Sequence, residues 1–326
     1  MACLLATFCG IGVGHYYAGL RRRALGWLGA EAASAIVLVF ALLLSQSAAW
    51  AIFALIVVFF LAWVGPFVDL CVVPERRFSR VPLWQVVGYA VAVPLGWAVL
   101  SFGLRSFLLE AFKISSGAMT PTLLIGDHIF VDKRTSGQAE RSDVIVFRHP
   151  ERPNEDYLKR AIGMPGDVIQ VKDGQLFING WPVPRCPLGQ VATGDDARGE
   201  TGTVALEFLA GRAYLTLSVS DQNADGTWTV GPGESFVLGD FRTNSADSRS
   251  WFGGRGGGVP LAYVKGRGIG IWLNVTDQSS DWSRMGVSLG EPALPSSMRD
   301  LEPALEKCLR ERPSDVETRP PVNMMR

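Results

Sequence analysis

At 326 residues the chain has room for an ordinary soluble domain and a second unit besides. Its 31 basic and 31 acidic side chains balance to a formal charge of zero, which excludes a simple electrostatic case for nucleic-acid binding. The five cysteines form no Cys-x-x-Cys pair and the three histidines are scattered, so metal-ligand spacing is absent and no metal or other cofactor is expected.

The overall hydrophobic content of 48% conceals a division: residues 1–104 are apolar with few charges, and nearly all acidic residues lie beyond 105. The first stretch, residues 2–19, is uncharged and glycine-rich and runs through His15, Tyr16 and Tyr17. It has no basic segment ahead of it and no clear small-residue cleavage site, so an extra span or a re-entrant segment fits better than a signal peptide. Three later stretches reach the about 20 apolar residues that a bilayer crossing needs: Ala24–Leu44, Trp50–Val72 and Leu83–Leu104. Glu31 and Asp69 interrupt them and are expected to reach the interface or face a neighbouring helix. Arg21, Arg22 and Arg23 precede the first span, and Arg76, Arg77 and Arg80 separate the second from the third. The positive-inside rule puts both clusters in the cytoplasm, so everything after Arg105 is expected outside it.

From His128 onward short β-branched or alternating runs dominate, broken by turn dipeptides. Strands are predicted at His128–Asp132, Asp143–Arg148, Tyr157–Ile162, Val168–Lys172, Gln175–Ile178, Val204–Leu209, Tyr214–Val219, Thr227–Val230, Ser235–Leu238 and Val264–Leu273. Asp173-Gly174 and Asn179-Gly180 suit type I′ hairpins, whose two central residues need positive φ. Residues 182–202 and 253–258 read as loop insertions, and after Thr276 a polar surface tail is expected, with one short helix near Leu301–Arg310. Cys3, Cys9 and Cys71 lie in apolar segments and read as buried thiols. Cys186 and Cys308 can pair only where both face an oxidising compartment, and sequence does not set their separation.

Four segments carry the candidate chemistry: residues 112–127, 143–147, 157–167 and 239–249. Taken singly, each has a plain structural reading. The Ser116-Gly117 pair is a turn, Lys159 is a lysine snorkelling from an apolar strand, and Asp247 with Arg249 is a salt bridge on one face. The glycine run at 253–258 lacks the lysine and helix of a phosphate loop.

In this order, on a β domain that follows apolar helices, the four segments resemble type I signal peptidases. The resemblance implies N-terminal transmembrane helices with a mainly antiparallel β extracytoplasmic domain, in the bacterial cytoplasmic membrane. It implies signal peptides of exported pre-proteins as substrates, the lipid bilayer as surroundings and association with the export machinery. It places Lys159 as general base, Ser245 as the hydroxyl beside its amine, and Asp247 with Arg249 as a supporting ion pair. The backbone N–H at position 118 and the Ser116 hydroxyl would form the oxyanion hole. An ammonium with an ordinary pKa near 10.4 is a poor base, so Lys159 must be desolvated, and Ile162, Val144 and Phe147 are its expected apolar neighbours.

One departure decides the chemistry. The family pattern asks for Ser-Gly-Ser-Met, and this chain reads Ser116-Gly117-Ala118-Met119. A methyl group cannot attack a carbonyl. On an extended strand Ser116 would lie about 6–7 Å away, whereas attack needs reacting atoms about 3–3.5 Å apart. Ser115, Phe241 and Thr243 also stand where the family has proline, asparagine and aspartate. The chain is therefore expected to be an inactive serine-endopeptidase relative, either through an introduced Ser→Ala change or as a natural pseudo-peptidase. The expected organisation is an apolar segment at 1–23, three spans within 24–104, the β-rich domain at 105–275 and the tail at 276–326.

Overall fold

The computed structural model describes residues 13–44, 65–72, 81–193, 201–219, 225–275, 280–314 and 317–321. Its contacts divide the chain into two compact units, Met1–Ser106 and Phe107–Arg326.

The first unit contains helices α1 (Val13–Tyr17), α2 (Arg21–Leu44), α3 (Gly65–Val72) and α4 (Leu83–Phe107). Gly19, at φ +76°, ends α1 in a left-handed turn that a side chain would strain. Asp69 on α3 gathers partners from two other helices: Trp27 Nε1 donates to it at 2.9 Å, His15 Nε2 lies 3.0 Å away, and Arg23 pairs with it. Tyr16 stacks on Tyr89 with ring centroids 4.6 Å apart, and Arg21 donates to Gln85 at 2.6 Å. His15 and Tyr16 thus pack helices together. The first and third expected spans, Ala24–Leu44 and Leu83–Leu104, fall on α2 and α4, while residues 50–64 of the second, Trp50–Val72, lie outside the described residues. Among the described residues no helix is long and apolar enough to cross a membrane. The arginines at 76, 77 and 80 also lie outside them, as do Cys3 and Cys9; Cys71, expected to be buried, is exposed.

The second unit is built of antiparallel sheets. Its strands are β1 (Leu109–Lys113), β2 (Asp127–Asp132), β3 (Val144–Arg148), β4 (Asp156–Gly163), β5 (Val168–Lys172), β6 (Gln175–Ile178) and β7 (Trp181–Pro182). They continue as β8 (Arg185–Ala192), β9 (Thr201–Leu209), β10 (Arg212–Ser218), β11 (Gly226–Thr229), β12 (Glu234–Leu238), β13 (Val259–Pro260) and β14 (Val264–Asn274). The large sheet runs β1-β2-β14-β3-β4-β12-β13, and two smaller ones run β11-β5-β6-β7 and β10-β9-β8. Both predicted hairpins have positive φ at each central residue, 50° and 73° at Asp173-Gly174 and 55° and 78° at Asn179-Gly180.

Two expectations need correction. Residues 182–202 are not simply a loop: β8 occupies eight of them, its pattern masked by Pro187 and Gly189, between which the pairing with β9 shifts register. The segment beyond 280 is not merely a polar surface tail. Helix α5 (Glu302–Arg310) lays Leu305 and Cys308 with Met298 against Leu188, Leu206 and Phe208 of the three-stranded sheet. One apolar stripe on a charged helix suffices to bury that face. A Cys186–Cys308 disulfide joins β8 to α5 across 122 residues.

Three buried arginines each meet a buried carboxylate, as burial of a lone charge demands. Arg160 grips Asp240 through two bonds of 2.8 and 2.6 Å, Arg242 grips Glu207 at 2.7 and 2.6 Å, and Arg284 meets Asp127 at 2.6 Å.

Candidate active site

The site begins where β1 ends. Ser116 is extended (φ −135°, ψ 151°), and Gly117–Met119 then coil into a single 3-10 turn closed by Thr120 N–H donating to the Gly117 carbonyl. The chain here is therefore a turn and not the extended strand expected from the sequence, so strand spacing does not describe the relation of Ser116 to Ala118. Ser116 is exposed, whereas Ala118 and Met119 are buried, Met119 alongside Leu123, Ile129 and Val146. The Ala118 carbonyl accepts from Phe241 N–H at 3.1 Å, and Thr122 Oγ1 donates to Asp240 at 2.5 Å. The turn is thereby fastened to the segment after β12.

Lys159 sits in the middle of β4, opposite Ile145 of β3, with 4% of its surface exposed. Cross-strand partners share a face, so its apolar neighbours are Ile145, Phe147, Tyr157 and Ala161. Of the three neighbours expected from sequence only Phe147 lies there; Val144 and Ile162 are one residue out of phase and face other clusters. The Tyr157 ring centroid is 5.7 Å from the amine and is itself packed against His149 at 4.5 Å. Burial holds the amine below its ordinary value of 10.5; Asp247 and Asp240 oppose that shift and Arg249 reinforces it. Among the described residues no carboxylate makes an ion pair with it, because both nearby aspartates already face arginines.

The third part is the run from Gly239 to Arg249, which is a turn-rich loop. Asp247 is fully buried and holds Arg249 through two bonds of 2.8 Å, while accepting from Gly239 N–H at 2.9 Å. The ion pair therefore ties the loop back to the end of β12. A Cβ on Gly239 would press on Ser245 Oγ and come within 2.6 Å of the Ala118 carbonyl, so only glycine lets the loop and the Ala118 turn meet. Ser245 Oγ is buried and makes no hydrogen bond among the described residues.

These elements frame a groove of about 650 Å³ lined by Ser116, Gly117, Ala118, Tyr157 and Lys159, with Asn244 and Ala246 on the far rim. All of the site residues named from sequence thus lie at the groove or in the loop behind it. Among the described residues no three His, Cys, Asp or Glu side chains converge as metal ligands would. The family profile described as signal peptidase, peptidase S26, matches residues 86–273, which is more than half of the chain and spans every part of this site.

The chain belongs to the signal peptidase I family. Among its relatives, Signal peptidase I of Pseudomonas aeruginosa is 34% identical over 213 residues, covering 56% of this chain and 73% of the relative. That of Pseudomonas fluorescens is 36% identical over 193 residues, covering 52% and 67%. A crystal structure of a signal peptidase I from Enterococcus faecalis is 26% identical and covers 40% of this chain and 96% of that one, with a TM-score of 0.25.

Within the family frame, two departures have a local reason. The Phe241 ring joins the core under the three-stranded sheet, and Thr243 Oγ1 accepts from Val219 N–H at 3.1 Å. Both bind the loop to the β9–β10 hairpin, and nothing in the structure explains Ser115. Sequence reasoning missed Arg160, Asp240 and Thr122, which pin the Ala118 turn. An arginine inside an otherwise apolar strand, beside the lysine, was the available signal, since a charge there demands a buried partner.

Proposed function

We propose that this chain is a membrane-bound protein of the signal peptidase type whose groove takes the signal-peptide end of exported pre-proteins, and that it does not hydrolyse them. The observation that carries this reading is that Ala118 and the buried Lys159 line one groove, with a methyl group where the family's chemistry needs a hydroxyl. In a competent relative the neutral lysine would take the proton of a serine as that serine attacks. Here the base is in place and the nucleophile is missing. Ser116, the proposed oxyanion-hole hydroxyl, lies on the groove wall, and Ser245, Asp247 and Arg249 support the turn from behind.

Membrane placement rests on the apolar stretches within 24–104 and on their flanking arginines, with the β domain of 105–275 on the extracytoplasmic face of the bacterial cytoplasmic membrane. The Cys186–Cys308 disulfide supports the same side independently, since such bonds persist in oxidising compartments.

The test is to incubate the purified full-length protein with a pre-protein and repeat after Ala118→Ser. No cleavage before the substitution and cleavage after it are expected; robust cleavage by the unaltered chain would refute the reading. The intact groove favours a second reading, in which the chain holds signal-peptide ends or assists an active peptidase. It predicts measurable affinity without turnover, and absence of binding counts against it.

A further inference from the structure

The loss of the hydroxyl at 118 removes the reaction partner of Lys159 but not the reactivity of its amine. Resting on the groove reading above, we propose that Lys159 acts in this chain as a nucleophile, condensing with the terminal carbonyl of a peptide aldehyde and holding it as an imine.

Three observations carry this. The first is placement: Lys159 is 4% exposed yet lines the groove, so its amine is reached from the groove and shielded elsewhere by Ile145, Phe147 and the Tyr157 ring. The second is the absence of a competing partner. Asp247 and Asp240 are each held bidentately by Arg249 and Arg160, residue 118 offers only a methyl, and Ser245 Oγ makes no hydrogen bond among the described residues. An amine without a carboxylate partner in apolar surroundings favours the neutral form that carries a lone pair. The third is the shape of the wall. Ser116, Gly117, Ala118 and Ala246 are all small, which admits an extended peptide ending in a small side chain close to the amine.

The electrophile follows from the chemistry. A peptide amide resists a neutral amine, and acyl transfer would need the missing hydroxyl. An aldehyde needs no acyl transfer. The amine lone pair attacks the carbonyl carbon, the π electrons move to oxygen, and a proton passes from nitrogen to that oxygen to give a carbinolamine. Loss of water then forms the C=N bond, with no oxidant or reductant consumed.

The experiment uses the full-length protein in detergent, acetyl-Ala-Leu-Ala aldehyde as the probe, and sodium borohydride to reduce the imine to a stable secondary amine. Intact mass should rise by one peptide, and peptide mapping should place it on Lys159 at least about tenfold above any exposed lysine, because attack needs a neutral amine held in apolar surroundings. Lys159→Met should abolish that label. Ala118→Ser should lower it, because the serine hydroxyl competes for the aldehyde as a hemiacetal that borohydride does not fix. A calorimetric titration with the matching C-terminal amide separates the two ideas. Binding of the amide without labelling of Lys159 overturns the nucleophile and leaves the groove standing; failure of both overturns the groove reading itself. Labelling spread evenly over exposed lysines also overturns the proposal.

Discussion

Phe241 donates its backbone N–H to the carbonyl of Ala118 at 3.1 Å, while its ring packs under the three-stranded sheet with Leu217 and Phe208. One residue thus joins the groove wall to a core built by a different sheet. Replacing Phe241 with alanine keeps the N–H and removes the anchor. The ring is only partly buried, so the cost should fall below that of a fully buried phenylalanine, at about 2 kcal/mol in denaturant unfolding. Affinity for a signal-peptide end should fall several-fold in calorimetric titration. A destabilised protein with unchanged affinity would mean that the ring stabilises the sheet without positioning the Ala118 turn.

Arg160 and Asp240 form a deeply buried charge pair, exposed by 2% and 1%, and Thr122, just after the Ala118 turn, donates to the same carboxylate. Arg160→Met leaves that carboxylate buried with a lone hydroxyl donor. Urea unfolding should show a loss of about 3–5 kcal/mol. The double variant Arg160→Met with Asp240→Leu should recover most of it, because a buried pair is more costly to halve than to replace. If the double variant is as unstable as the single one, packing of the arginine stem and not the orphaned charge accounts for the effect.

Lys159 has the opposite sign of linkage from most paired lysines. Burial holds its folded value below 10.5, so between that folded value and 10.5 the unfolded chain binds the additional proton and stability rises with pH. The penalty for burying the amine is full below the folded value and disappears above 10.5. Lys159→Met should therefore stabilise the domain by about 1–3 kcal/mol at neutral pH, and the gain should shrink as the pH approaches 10.5. Thermal unfolding across that range is the measurement. A gain that stays constant with pH would show that the amine titrates normally in the fold.

What could be read from the sequence followed the range of the interactions involved. All ten predicted strands occur within three residues of their predicted ends, because β-branched alternation and Asp-Gly or Asn-Gly turns are local signals. The four strands that were not foreseen are edge strands or short ones, β1, β7, β8 and β13, where proline or a neighbouring apolar run blurs the period. Lys159, Ser245, Asp247 and Arg249 could be singled out because ordered motifs carry them. Their surroundings could not: choosing Ile145 over Val144 as the neighbour of Lys159 depends on strand register, which only the paired sheet fixes. The short helix expected near Leu301–Arg310 is present at Glu302–Arg310, but its docking could not be read, for a similar reason. Its apolar stripe shows only against a sheet that is distant in sequence.

The Cys186–Cys308 bond closes a loop of 122 residues, the kind of long closure that restrains an unfolded chain most. Removing it with Cys308→Ser should cost about 2–5 kcal/mol, and limited proteolysis should then cut first around α5, whose buried face is narrow. The same bond reports on topology without reference to any arginine. In intact cells, a thiol reagent applied before reduction should leave Cys186 and Cys308 unlabelled, and both should label after reduction, as mass spectrometry of the isolated protein would show. Were both cysteines labelled without reduction, the β domain would be facing a reducing compartment. The orientation inferred from Arg21 to Arg23 and from Arg76, Arg77 and Arg80 would then have to be reversed, and a groove on that side could not meet an exported pre-protein.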